Sequence, residues 1–275
     1  MKNNIFLTSL IFPLILLAFV SCSENQHNDE IEQPATHIIV PLYSFPTDDN
    51  GNIWASVYSA SQEVPIDVIW GMVDTLDAPI YRVYTDWLKK SKYIGLYVYV
   101  ATTSGEREMQ DVKNEIDFYA NNFNIDGIFF DEVTSDSQYI PYYRNIVSYA
   151  KQNPKIKKAI LNSSYAPVDF LEKTDGDVLI IFENYGSDWD NFTVQDYNPM
   201  LPEEKAVIVS NVNSSTRMEE IINEAVGNNI GHIFVTDRGY DFLPSYWNDE
   251  VNLIKEINRN SRNRALRISD DLIIN

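Results

Sequence analysis

Cysteine, histidine and positive charge are scarce in this chain of 275 residues. With one cysteine the chain has no internal disulfide, and Cys22 lies too near the start of the chain to be a nucleophile in a folded domain. Lys and Arg number 21 against 40 Asp and Glu, and the net charge of −19 argues against nucleic acid as a partner, because its phosphates would be repelled. No glycine-rich phosphate loop follows the first apolar run, which argues against a dinucleotide-binding fold.

The three histidines are poorly placed for catalysis. His27 lies in a polar segment near the start, and His37 and His232 begin two predicted strands, at the end opposite the one where parallel strands usually carry an active site. The sequence therefore argues against a histidine-based triad or a zinc site, and we expect no metal and no cofactor.

The first residues resemble the signal of a secreted lipoprotein. Lys2 precedes a predominantly apolar run over residues 5–20, too short for a stable membrane span with its flanks, and the only cysteine follows at Cys22. We expect residues 1–21 to be removed and Cys22 to be acylated, with 22–35 as a disordered tether and the protein held by its lipid in the cell envelope, at the outer membrane or cell surface. A plain signal peptide or an uncleaved anchor are the alternatives.

From residue 36 onward, short apolar runs alternate with amphipathic helical stretches. The runs are predicted as eight strands, at 38–43, 66–70, 93–101, 125–131, 158–162, 177–183, 206–212 and 232–236. Continuous apolar strands alternating with helices indicate a parallel sheet, and eight units in this length favour a single (β/α)8 TIM barrel over 36–260. The helical pattern is poor after strands five and six, and 261–275 reads as a polar tail.

Carboxylates follow several of the predicted strands at the end where a TIM barrel carries its active site. Asp131 and Glu132 end the fourth strand and Glu183 the sixth, and a pair of carboxyl groups is what glycoside hydrolysis requires. Each could instead cap a helix or mark where a strand reaches solvent. Asp131 and Glu132 cannot both point inward along a continuing strand, because side chains alternate.

Other polar and aromatic residues at the same strand ends are candidates for substrate binding. Aromatic residues make up 13% of the chain, and their faces suit a pyranose ring as well as a protein core. The predicted substrate-binding residues are Tyr43, Thr102, Asn162, Tyr185, Trp189, Asn211 and Asp237.

Several of these segments together resemble the spherulin-4 family across nearly the whole predicted domain. The segments are Pro41-Leu42-Tyr43, Gly95 to Arg107, Ile125 to Glu132, Phe182 to Tyr185 with Trp189, and Val235 to Asp237 followed by Leu243 to Trp247. The resemblance implies a TIM-barrel glycoside hydrolase, related to fungal enzymes that cleave an α-1,4-linked polysaccharide containing N-acetylgalactosamine. The chain departs from the family pattern at Trp70-Gly71-Met72 and at Ser104, near the expected substrate rim.

The family's acidic site falls on Asp131, Glu132 and Glu183. With the resemblance, the spacing leads us to expect Asp131 as nucleophile, Glu183 as general acid and base, and Glu132 as a residue that orients substrate. Two alternatives stay open: a catalytically inactive glycan-binding lipoprotein, and a metal-dependent phosphoesterase with Asp131, Glu132 and Asp136 as oxygen ligands.

Overall fold

Eight parallel strands close into a barrel in the order in which they follow along the chain. The computed structural model describes residues 34–47, 52–71, 76–163, 177–194, 197 and 199–273. The strands are β1 (His37–Pro41), β2 (Ile66–Gly71), β3 (Ile94–Ala101), β4 (Gly127–Asp131), β5 (Lys158–Asn162), β6 (Val178–Tyr185), β7 (Lys205–Ser210) and β8 (His232–Val235). β1 pairs with β8 through His37↔His232 and Ile38↔Ile233, so the predicted (β/α)8 TIM barrel is confirmed.

Helices connect most successive strands. They are α1 (Asn52–Ala60), α2 (Ala78–Leu88), α3 (Met109–Asn122), α4 (Ile140–Ala150), α5 (Gly186–Trp189), α6 (Ser215–Gly227) and α7 (Trp247–Ile273). α5 has a single turn, which agrees with the poor helical pattern after the sixth strand. Residues 164–176, between β5 and β6, lie outside the described residues.

The strands are apolar on both faces because one face lines the barrel interior and the other lies under helices. Inside the barrel, the ring of Tyr97 fills space that two glycines leave open. A Cβ atom at Gly127 would lie 2.7 Å from the Tyr97 ring and 2.3 Å from the carbonyl oxygen of Lys158, so glycine is required there. By alternation along β4, Gly127 shares its inward face with Phe129 and Asp131.

Much of the polar segment 261–275 is helical, because α7 continues through Ile273. Among the residues of α7 whose burial is described, the buried ones, including Val251 and Ile254, lie in the first half of the helix. In the part of the chain that the structure describes, no helix combines the length and apolarity that a membrane crossing needs. The predicted signal peptide, tether and lipid attachment at Cys22 lie outside the described residues.

Candidate active site

The carboxyl ends of β4, β5 and β6 bring two carboxyl groups onto one amide. Asn162, the last residue of β5, donates through Nδ2 to Asp131 Oδ1 at 2.8 Å and to Glu183 Oε2 at 2.5 Å. Because both oxygens contact the same nitrogen, they lie at most about 5.3 Å apart, so the two carboxyl groups of the pair that glycoside hydrolysis requires are neighbours at this rim. Asp131 and Glu183 are both half-buried, so they share a site that solvent reaches.

Three tyrosines surround this carboxyl pair. The Tyr240 hydroxyl donates to Glu183 Oε1 at 2.7 Å, and the Tyr99 hydroxyl donates to Asp131. The ring of Tyr43 packs edge-on against both, with centroids 6.0 Å from Tyr99 and 5.8 Å from Tyr240. Burial is the main cause that raises the pKa of all three phenols. The negative charge of Asp131 adds to it at Tyr99, and the charges of both Asp131 and Glu183 add to it at Tyr43 and Tyr240, so the three phenols remain neutral hydrogen-bond donors.

Two of these tyrosines were missed by the sequence analysis. Tyr99 lies within β3 and would have been found by following the inward face of that strand, because it is two residues after Tyr97 and points to the same side. Tyr240 lies in the loop after β8, which has no periodicity from which its position could have been predicted.

The environment of Glu183 raises the pKa of its carboxyl group. Burial raises its pKa above the usual value, and the nearby charge of Asp131 adds to the increase. Hydrogen bonds from Tyr240 and Asn162 favour the ionised form and offset part of it. A carboxyl group held protonated toward neutral pH can donate a proton to a leaving group.

Glu132 follows β4 in a left-handed conformation, with φ of 55°. Asp131 and Glu132 therefore need not alternate between the two faces of the sheet, because the strand ends at Asp131 and the side chain of Glu132, after the strand, is exposed. Its Oε2 accepts a hydrogen bond from the backbone N–H of Thr103 at 3.1 Å. Thr103 and Ser104 also have positive φ, of 49° and 55°, so the backbone is strained at two neighbouring strand ends of the candidate site.

Thr102 contacts the backbone beneath the candidate site and is not exposed to solvent. It is fully buried, and its hydroxyl donates to the carbonyl oxygens of Asp131 at 2.7 Å and Glu132 at 3.0 Å. The expectation that its side chain binds substrate is therefore wrong, because both the hydroxyl and the surrounding space are taken by the protein. Its contacts place the backbone that carries the two acidic side chains.

Trp189 also differs from its expected role as a stacking surface. Its side chain is 4% exposed, packs against Phe182 and Phe192, and donates through Nε1 to Glu224 Oε2 at 2.7 Å. A ring packed in the core cannot receive a sugar. Tyr185, at the end of β6, is 57% exposed and remains the aromatic candidate for substrate contact on this strand.

Asn211 and Asp237 lie at the same end of the barrel. Asn211 follows β7, is exposed and has φ of 57°. Asp237 accepts hydrogen bonds from the backbone N–H of Ser245 at 2.9 Å and from its hydroxyl at 2.5 Å, and these bonds outweigh burial and lower the pKa of Asp237. Asp237 thereby ties together the two ends of the loop that carries Tyr240.

The oxygen ligands of a phosphoesterase are not assembled at this rim. Asp136 is exposed and accepts from the backbone N–H of Gln138 at 3.0 Å as the N-cap of a short 3-10 helix. Asp131 is engaged by Asn162 and Tyr99. Within the described ranges, the three-residue cluster with metal-ligand geometry is instead His37, Asp67 and His232, at the other end of the barrel.

Comparisons with known proteins show the family to which the chain is related. The model of the spherulation-specific family 4 matches residues 37–254. Spherulin-4 of Physarum polycephalum is 27% identical over 242 residues, which cover 80% of this chain and 70% of that protein.

Solved structures share the fold. Sph3 of Aspergillus clavatus, whose crystal structure holds GalNAc, superposes with a TM-score of 0.68 at 18% identity, covering 81% of this chain and 98% of that one. Pyruvate kinase of Cryptosporidium parvum superposes with a TM-score of 0.54 at 11% identity, covering 86% of this chain and 72% of that one. At these identities the superpositions establish the barrel fold but not the reaction, which is argued from the residues of the site.

Proposed function

Because the chain belongs to the spherulation-specific family 4, we propose that it is a glycoside hydrolase that cleaves a polysaccharide through Asp131 and Glu183. The observation that carries the proposal is the shared Asn162 amide, which binds one oxygen of each carboxyl group and so supports a carboxylate-pair mechanism, proposed as double displacement. Asp131 attacks the anomeric carbon while Glu183, whose pKa is raised, protonates the departing oxygen. Glu183 then removes a proton from the water that releases the sugar from Asp131, and the configuration is retained.

The surrounding residues fit the two steps. Tyr99 and Asn162 orient the Asp131 carboxylate toward one face of the sugar, and Tyr240 holds Glu183. Glu132, exposed beside Asp131, is placed to bind a hydroxyl or acetamido group of the substrate. Binding of this kind stabilises the transition state only if it strengthens as the sugar ring flattens.

The substrate proposed is an α-1,4-linked glycan containing N-acetylgalactosamine, cleaved within the chain. It is supported by the family membership and by the GalNAc bound to Aspergillus Sph3. We also propose that the protein is a secreted lipoprotein acylated at Cys22, so that cleavage takes place at the cell envelope.

Digestion of a galactosamine-containing polymer tests the activity, with products followed by mass spectrometry and by proton NMR of the anomeric signals. We expect oligosaccharides of mixed length early in the reaction and products of retained configuration. Inverted products would show that the carboxyl groups act through an intervening water. Binding without turnover would favour the alternative of a glycan-binding lipoprotein.

Substitutions of the carboxyl groups test the assignment. Asp131→Asn and Glu183→Gln should each lower kcat by about a thousandfold or more, equal to about 4 kcal/mol of transition-state stabilisation. Asp136→Asn is the matched control, because Asp136 lies exposed after the same strand and only caps a 3-10 helix. Turnover within about tenfold of wild type in both active-site variants would rule out the carboxylate-pair mechanism.

A further inference from the structure

We propose that His37, Asp67 and His232 form a binding site for a divalent transition-metal ion, Zn²⁺ being the best fit, at the amino-terminal end of the barrel. His37 Nδ1 lies 2.9 Å from Asp67 Oδ2, and His232 Nδ1 lies 2.8 Å from the same oxygen. The three side chains come from β1, β2 and β8, and their ligand atoms all lie within 4.8 Å of one another. The sequence analysis placed both histidines at this end but not beside each other or beside an acid.

The hydrogen bonds of His232 leave room for a cation beside its Nδ1. Its Nε2 lies 3.1 Å from the carbonyl oxygen of Glu203, which can only accept, so Nε2 carries the hydrogen. In the neutral ring the lone pair of Nδ1 then faces the lone pairs of Asp67 Oδ2. A proton or a metal ion between them relieves this repulsion. A ring N–H donated to a backbone carbonyl, with the other nitrogen on the metal, is the usual arrangement of a metal-bound histidine.

A metal ion requires a limited rearrangement of the three side chains. Tetrahedral zinc bonds of about 2.0–2.2 Å separate neighbouring ligand atoms by about 3.3–3.6 Å. The observed 2.8 and 2.9 Å must therefore open by about half an ångström, and ligand atoms as much as 4.8 Å apart must approach by about 1 Å. The His37 side chain is 33% exposed, which allows it to move and gives water access to complete the coordination. Asp67 is held from the interior by a hydrogen bond with Tyr97.

Asp67 is also given space by a glycine. A Cβ atom at Gly95 would lie 2.4 Å from Asp67 Oδ1, so a larger residue would displace the carboxylate. Two neutral imidazoles and one carboxylate are the borderline donor set that suits zinc and its neighbours in the transition series.

Such an ion would stabilise the barrel rather than take part in glycan cleavage. β1 and β8 are the first and last strands, and the described pairs between them are His37↔His232 and Ile38↔Ile233. A metal bound to His37 and His232 would join chain positions far apart in sequence at the seam where the barrel closes. Because the ion binds the folded form and not the unfolded chain, it stabilises the folded barrel by mass action, by an amount that grows with the excess of free zinc over Kd.

Metal titration of the full chain tests the site. The protein is stripped with EDTA, dialysed and titrated with Zn²⁺ near pH 7.5, and bound metal is measured by inductively coupled plasma mass spectrometry. We expect one tightly held Zn²⁺ per chain and a Tm raised by about 5–10 °C at a hundredfold excess over Kd. His37→Gln and His232→Gln should weaken zinc binding by at least about tenfold, whereas His27→Gln, the same change at the remaining histidine, should leave it unchanged.

Absence of a Tm shift in the wild-type chain overturns the proposal and assigns the position beside Nδ1 to a proton. Zinc binding that survives in both the His37 and His232 variants overturns it as well. If these variants fail to fold, X-ray absorption of the zinc-loaded wild type decides, because two imidazole ligands give outer-shell scattering that carboxylates and water do not. A spectrum without imidazole scattering counts against the site.

Discussion

Replacing Tyr240 by phenylalanine removes one hydroxyl group from the candidate active site and leaves the ring in place. That hydroxyl donates to Glu183 Oε1 at 2.7 Å and favours the ionised carboxylate, so it holds the pKa of Glu183 below the value that burial alone would give. Without it, the pKa of Glu183 should rise further. Asn162 still donates to the other oxygen, so the carboxyl group keeps its position.

The size of the change follows from the energy of a hydrogen bond to a charged acceptor, about 1.5–3 kcal/mol. One pKa unit corresponds to about 1.4 kcal/mol, so the pKa of Glu183 should rise by about one to two units in Tyr240→Phe. Because this group then stays protonated to higher pH, the alkaline limb of the kcat/KM profile should move upward by the same amount. Relative to wild type, Tyr240→Phe should lose stability as pH rises through the Glu183 titration, since the native carboxylate has lost a donor.

The direct assay is carbon-13 NMR of protein labelled at the glutamate carboxyl carbons, which needs no substrate, with Glu183→Gln to identify the resonance. Tyr185→Phe is the matched control, because Tyr185 is exposed and the same hydroxyl is lost away from Glu183. A Glu183 titration that stays in place or moves downward in Tyr240→Phe would refute the reasoning. An equal upward shift in Tyr185→Phe would show that the effect is not local.

Three further predictions concern the core, the pH dependence of stability and the anchor. Trp189→Ala should lower the free energy of unfolding by about 3–5 kcal/mol in urea titrations, because the ring is core, whereas Tyr185→Ala should weaken glycan binding at nearly unchanged stability. Burial raises the pKa of Glu250 from 4.5 to about 8, and its Oε1 accepts a hydrogen bond from the Val235 N–H. The free energy of unfolding should therefore fall as pH rises from about 4.5 to 8 and level off above that range. In thermal melts at different pH values, Glu250→Gln should flatten this dependence. Cys22→Ala should release the protein from the membrane fraction on cell fractionation, and its retention there would contradict acylation at this residue.

The barrel was predictable because each strand is buried on both faces and therefore reads as a continuous apolar run. The fifth strand was predicted with its observed bounds, Lys158–Asn162, and the sixth runs two residues past its predicted end, to Tyr185. Helix α7 was harder, because after Ile257 its residues are largely polar and give no apolar periodicity, although the chain stays helical to Ile273.

Individual roles were less predictable than positions. Asp131 and Glu183 were identified because the carboxyl ends of parallel strands meet at one rim, a rule that requires no knowledge of side-chain packing. The burial of Trp189 could not be predicted from the sequence, because an aromatic residue that follows a strand ending in an acidic residue is equally compatible with a sugar-binding site and with the protein core.

The sequence by itself determined the fold class, the rim that carries the acidic residues and the end of the barrel that carries the histidines, since these depend on the order and period of residues along the chain. Only the tertiary structure decided which side chains meet. The amide of Asn162 on both carboxyl groups, Tyr240 on Glu183 and Asp67 between two imidazoles join residues from different strands and loops. Their distances follow from the stagger and closure of the barrel, which no local pattern encodes.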